Sequence, residues 1–162
     1  VKMLYIKEFI ISTISAFGFS YVFNSPKKSV LVSGLNAGFG WVIFRLVEQF
    51  SESVYIASFM SALFIAISSE VLARVFHYPA SIFIFPGIIN LCPGEAIYNT
   101  MRYFIANETP MAIISLYKAL GIAAAIAFGV LLSSSFSLSL RTYKERSHRR
   151  TDFLSILLGR KK

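Results

Sequence analysis

Chemistry-bearing residues are scarce in this chain. It has one cysteine and two histidines in 162 residues, and its acids number 8 against 16 bases. A lone Cys92 excludes an intrachain disulfide and any thiolate metal cluster. His77 is expected in a loop and His148 in the C-terminal tail. There is no HExxH, no pair of aspartates, and no serine set beside a histidine in an apolar stretch. That leaves an intramembrane enzyme without machinery, and neither a metal nor a cofactor is expected. The chain also lacks a polar linker or a soluble insertion. No small-x-small cleavage site follows the first apolar run before Asn24-Ser25-Pro26, so that run is expected to be retained as a crossing.

What is present is hydrophobic, at 56% apolar and 15% aromatic residues. Long uncharged runs follow one another: Phe9–Pro26, Ser29–Phe44, Ser53–Ser69 and Ala119–Leu140. A helical crossing needs roughly 20 apolar residues, and each run reaches or approaches that length. The pattern predicts an all-α polytopic membrane protein with crossings near 4–23, 29–48, 53–74 and 117–140, and a further segment over 79–106. Read as a span, that segment gives about five helices, the fourth broken by its Pro-Gly pairs.

Charge is concentrated at the C-terminus. The formal net charge is +8, and residues 141–162 carry eight Lys/Arg against Glu145 and Asp152. The chain thus divides into a membrane domain, 1–140, and a basic tail, 141–162. Whether 79–106 spans or re-enters, eleven positive charges fall on the tail's side and four on the other, with Lys118 left at a boundary. The positive-inside rule therefore places the tail in the cytoplasm, whichever side holds the N-terminus. A basic cluster directly after a span orients the protein or lies on anionic headgroups. No recognition motif accompanies it, so nucleic acid is not an expected partner.

Small residues recur at four-residue spacing: Gly121, Ala125, Gly129 and Ser133, with a GxxxG at Gly34–Gly38. These are read as packing faces, within the chain or towards a partner, a second copy included. Asn36 is read as an interhelical hydrogen bond. Glu70 with Arg74, and Arg45 with Glu48, are read as ion pairs.

The stretch "FPGIINLCPGEAIYN", residues 85–99, is the exception to the apolar pattern. Proline removes a backbone donor and clashes with the preceding turn. Pro79, Pro86 and Pro93 recur every seven residues and would kink a continuous helix along one face. A break at Asn90–Gly94 frees carbonyls that only protein or water can satisfy at membrane depth. The second half-helix then begins at Glu95, with Glu95, Asn99 and Arg102 on one face and Tyr98 beside it. Broken helices of this kind build transporter sites. An acid at membrane depth is costly and usually functional. Asn90, Pro93, Gly94, Glu95, Tyr98, Asn99 and Arg102 are therefore the candidates for binding or coupling, on a motif built from Pro79, Pro86, Gly87, Pro93 and Gly94. A non-transporting membrane scaffold is the rival reading. It has less use for a doubly broken helix with an acid at the break.

The run "PASIFIFPGIINLCPGEAIYNTM" resembles the signature of the threonine/serine exporter family, in its C-terminal, five-helix half, which also occurs as a separate small subunit. Pro79, Ala80, Ser81, Phe83, Pro86, Gly87, Ile88, Ile89, Leu91, Pro93, Gly94, Tyr98 and Met101 match it. Asn90, Cys92 and Glu95 depart from it, Asn90 standing where proline is usual. The resemblance implies ion-driven export of threonine, serine or a dicarboxylate such as succinate across a bacterial plasma membrane. It also implies a second, larger membrane subunit as partner.

Overall fold

The computed structural model describes the backbone of residues 2–157 and the side chains of residues 3 and 5–135. Six helices follow in order: α1 (Lys2–Val22), α2 (Lys27–Ser51), α3 (Val54–Phe76), α4 (Ser81–Ile89), α5 (Gly94–Ile105) and α6 (Thr109–Leu157). The basic segment after residue 140 continues α6 without a break as far as Leu157. Residues 158–162 of the expected tail, which include Arg160, Lys161 and Lys162, lie outside the described residues.

The helix ends are made without glycine. Asn24, Glu52, His77 and Asn107 all take positive φ, between 52° and 60°. Asparagine and histidine are enriched in this left-handed conformation, whereas Glu52 carries its full steric cost. At Glu52 and His77 the helix end is closed by the residue's own N–H, on Glu48 O and Ala73 O respectively. Most glycines among the described residues lie instead where one helix closely approaches another. A Cβ on Gly38 would collide with Thr13 Oγ1, and one on Gly40 with the Ile65 side chain. Lipid offers no hydrophobic drive between helices, so close approach and interhelical hydrogen bonds take its place. Asn36 provides such bonds between α2 and α3: its Nδ2 donates to Ser69 Oγ at 3.0 Å, and its Oδ1 accepts from Ser68 Oγ at 2.6 Å.

Burial is inverted relative to a water-soluble domain. Ser20, Ser29, Ser33, Ser58, Ser61 and Ser69 are fully buried, while Tyr21, Phe50 and Ile105 are more than 80% exposed. Serines inside and large apolar side chains outside fit a molecule whose solvent is lipid. Among the described residues, α2, α3 and residues 109–135 of α6 are each long and apolar enough to cross a bilayer. The bent pair α4–α5 qualifies only as one unit, which makes up to four candidates. Among the described residues this measure gives three to four candidates, short of the expected count of about five.

The layout positions the break. Helix α4 nests against α1, α2 and α3, and α5 packs on α6. Ala62, Ile65, Leu91, Ile122 and Ile126 form the core between α3, α6 and the start of the break, with Trp41, Phe44, Val54 and Ile88 packed against it.

Candidate functional site

The chain unwinds where the Pro-Gly pairs predict. Helix α4 ends at Ile89, α5 begins at Gly94, and the two meet at a 47° bend. Pro86 is accommodated inside α4, fully buried, and Gly87 lets α4 approach Ile65, which a Cβ would meet at 2.7 Å. Pro79 lies in the α3–α4 connection, outside the broken helix, so the one-face kink expected from the seven-residue spacing does not arise. That expectation presupposed a continuous helix over all three prolines.

Pro93, at φ −75° and ψ 52°, sits at the centre of an inverse γ-turn, in which Gly94 N–H donates to Cys92 O at 2.7 Å. Ile97 N–H donates to Pro93 O at 3.0 Å. Between them, the N–H groups of Glu95 and Ala96 are the orphan donors of the new helix. Both residues line a cavity of about 310 Å³ beside the break. The N-terminal end of a helix carries partial positive charge and favours an anion. Gly94 also borders this cavity, and a Cβ built on it would meet nothing within 4 Å. Packing does not require glycine there.

The same cavity is walled by Trp41, Phe44, Arg45 and Glu48 of α2, by Ser58 of α3 and by Lys118 of α6. Trp41 and Phe44 stack with ring centroids 5.2 Å apart. Arg45 holds two carboxylates, with Nε 2.9 Å from Glu8 Oε2 and Nη1 2.7 Å from Glu48 Oε2. The lining therefore contains two cationic side chains, Arg45 and Lys118, and two acidic ones, Glu48 and Glu95.

Of the residues singled out from the sequence, Asn90, Pro93, Gly94 and Glu95 line the cavity; Tyr98, Asn99 and Arg102 do not. Those three sit one to two turns down α5, where Tyr98 and Arg102 are exposed and Asn99 is half-buried. Arg102 lies over the Tyr103 ring at 5.8 Å. Asn90 is occupied structurally: its Nδ2 donates to Ser12 O at 2.9 Å and to Ser12 Oγ at 2.8 Å, tying the break to α1. The expected Arg45–Glu48 and Glu70–Arg74 pairs are present, the latter at 3.8 Å. The partnership of Arg45 with Glu8 and the arrival of Lys118 and Trp41 at the site have no local signature in the sequence. Among the described residues no group of three or more His, Cys, Asp or Glu is placed to hold a metal ion.

The family described as "Threonine/Serine exporter, ThrE" matches residues 8–136, most of the chain. The chain belongs to the threonine/serine exporter family. This is a transporter family, and the matched region contains the whole break and every residue of the cavity. A threonine/serine exporter of Corynebacterium glutamicum is 31% identical over 114 residues, which are 70% of this chain. Those residues make up 23% of that relative's own length. No solved structure matches.

Proposed function

We propose that this protein is a membrane subunit of a secondary transporter that exports small zwitterionic amino acids of the threonine and serine kind. The observation that carries this is the cavity lining, in which Arg45, Lys118, Glu48 and Glu95 share one cavity with the N-terminal residues Glu95 and Ala96 of α5. A substrate carboxylate is met by the amides of those two residues and Lys118, and its ammonium by Glu95. A dicarboxylate such as succinate fits less well, since the one further cation for its second carboxylate is Arg45, already held by Glu8 and Glu48. In this reading α1 is the first of five crossings, α4 with α5 is the fourth, and the tail of α6 lies in the cytoplasm of a bacterial cell. The rest of the exporter comes from a second, larger membrane subunit. Supporting that partnership, the matched region makes up only 23% of the larger Corynebacterium glutamicum relative.

The test is counterflow of labelled threonine, serine and succinate in vesicles containing the full chain and its partner. Glu95→Gln should slow threonine and serine exchange by at least tenfold, about 1.4 kcal/mol of lost binding or barrier stabilisation, with membrane insertion unchanged. Wild-type exchange in the Gln variant would remove Glu95 from the mechanism. Exchange of succinate but not of threonine by the wild type would reverse the choice of substrate. Gly94→Ala is a second probe. Its methyl meets open space within the chain, so the protein should melt normally. It nevertheless stands at the amide end, where it should obstruct a carboxylate and raise KM several-fold. An unchanged KM would show that the substrate does not approach this helix end.

A further inference from the structure

A second cavity, of about 230 Å³, lies against α1 and is lined by Glu8, Ile11, Ser12, Ser15, Trp41 and Asn90. Trp41 and Asn90 also line the first cavity, so these two side chains form the wall between them. The two linings differ in charge. The first carries both signs; the second has a single ionisable group, Glu8, with neutral oxygen donors around it.

The orientation of Asn90 fixes part of this set. A backbone carbonyl can only accept, so the bond to Ser12 O requires the amide nitrogen on that side. Both N–H groups are then committed to Ser12, and Oδ1 is left as the free acceptor. Glu8 gives Oε2 to Arg45, which leaves Oε1. Ser12 Oγ is already engaged, donating to Ala37 O at 3.3 Å and accepting from Asn90, so with the hydroxyl of Ser15 the cavity offers three oxygen atoms and one formal negative charge. Hard cations choose such donors, and one carboxylate matches a single positive charge. The charged groups facing Glu8 all come from α2: Arg45, with Glu48 on its far side. Helix α4, the other element packed against α1, has no charged residue. Counted together, Glu8, Arg45 and Glu48 carry one net negative charge, which a bound monovalent cation neutralises.

We propose that this second cavity binds the small monovalent cation, a proton or a sodium ion, whose gradient drives export. This rests on the transport reading above. The link to substrate is the Glu8–Arg45 pair itself, since Glu8 lines the cation cavity and Arg45 the substrate cavity. A cation on Glu8 weakens its hold on Arg45 and so changes the charge that the substrate meets. By linkage, substrate must change the affinity for the cation by the same factor.

The experiment uses vesicles containing the full-length chain with its partner. Threonine counterflow without any gradient is compared with threonine movement driven by a pH gradient without sodium, and by a sodium gradient at equal pH. In the wild type one of the two gradients should stimulate movement, and which one identifies the cation. Glu8→Gln should lose the stimulation by at least tenfold, and its threonine counterflow should no longer depend on the cation concentration. Glu8→Asp should keep the stimulation and move the half-saturating cation concentration several-fold. That shift carries the test alone if the Gln variant is not inserted. Undiminished stimulation in Glu8→Gln, an unmoved midpoint in Glu8→Asp, or wild-type counterflow that neither gradient stimulates would each overturn the proposal. Absence of counterflow in the wild type would instead overturn the transport reading.

Discussion

Arg45→Gln should deplete the protein from the membrane more than any other single charge change. The guanidinium lies 2.9 Å from one carboxylate and 2.7 Å from another, drawn from α1 and from its own helix. Without it, Glu8 and Glu48 converge with no cation between them, and the local charge goes from one negative to two. Breaking a fully buried ion pair by removing one partner costs about 3–5 kcal/mol. The cost is smaller here, because the side chains of Arg45, Glu8 and Glu48 are 36%, 21% and 28% exposed. The ordering follows because each alternative deletion leaves a neutral pair: Glu8→Gln keeps Arg45 with Glu48, and Glu48→Gln keeps it with Glu8. Quantified in isolated membranes, Arg45→Gln should fall to about a tenth of the wild-type level, a change that about 1.4 kcal/mol suffices to produce. Both Gln variants of the glutamates should exceed half. Adding Glu8→Gln and Glu48→Gln to Arg45→Gln removes all three charges and should restore much of the protein. Equal abundance of Arg45→Gln and wild type would mean that the two carboxylates are solvated well enough to do without their cation.

That triad also marks where sequence reading reaches its limit. The break at residues 90–93 was legible, because Pro and Gly act through their own backbone and need no partner to unwind a helix. The expected second half-helix began one residue late, at Glu95 rather than Gly94. The packing ridges and the Asn36 bond were legible because small and polar residues have few other uses among apolar side chains. The Arg45–Glu48 pair was legible from its spacing of three. Its extension to Glu8, 37 residues away, depends on how α1 is turned about its axis, and no local pattern states that. Lys118 was set aside at a boundary, yet it comes to the cavity because α6 packs along α3 and α5. Asn90 stands in the expected place but does a different job there. Its position at the break is a matter of sequence, whereas its bonds to Ser12 are a matter of assembly. Tyr98, Asn99 and Arg102 were chosen with Glu95 as one face, but they sit one to two turns further down α5, beyond the cavity. How far the cavity reaches along the half-helix depends on the packing of α2, α3 and α6 around the break, which the Pro-Gly pairs alone do not specify.

Gly129→Ala should be strongly destabilising for a one-methyl change. The added Cβ would sit 2.8 Å from Phe59 O, 3.1 Å from Leu63 N and 3.1 Å from Ala62 Cβ. Two of these are main-chain atoms of α3, which cannot rotate aside, so α6 must withdraw as a body. Withdrawal loosens Ile122 and Ile126 from Ala62 and Ile65, the centre of the core. Overpacking of this kind costs about 1–3 kcal/mol, against a gain of only about 1 kcal/mol from replacing glycine by alanine within a helix. Gly121 and Gly18 supply the controls. At Gly121 the nearest atoms belong to the Tyr55 ring, 2.6 Å away, and a side chain can swing clear. At Gly18 there is nothing within 4 Å, so only the helix-propensity gain remains. Thermal unfolding in detergent should therefore place Gly18→Ala at or slightly above wild type, Gly121→Ala slightly below, and Gly129→Ala lowest. A net loss of about 1 kcal/mol, the middle of that balance, corresponds to a drop of roughly 2–4 °C for a chain of this size. If Gly129→Ala melted together with Gly18→Ala, α3 and α6 would not approach closely at this point, and the wall that carries Lys118 to the cavity would have to be placed differently.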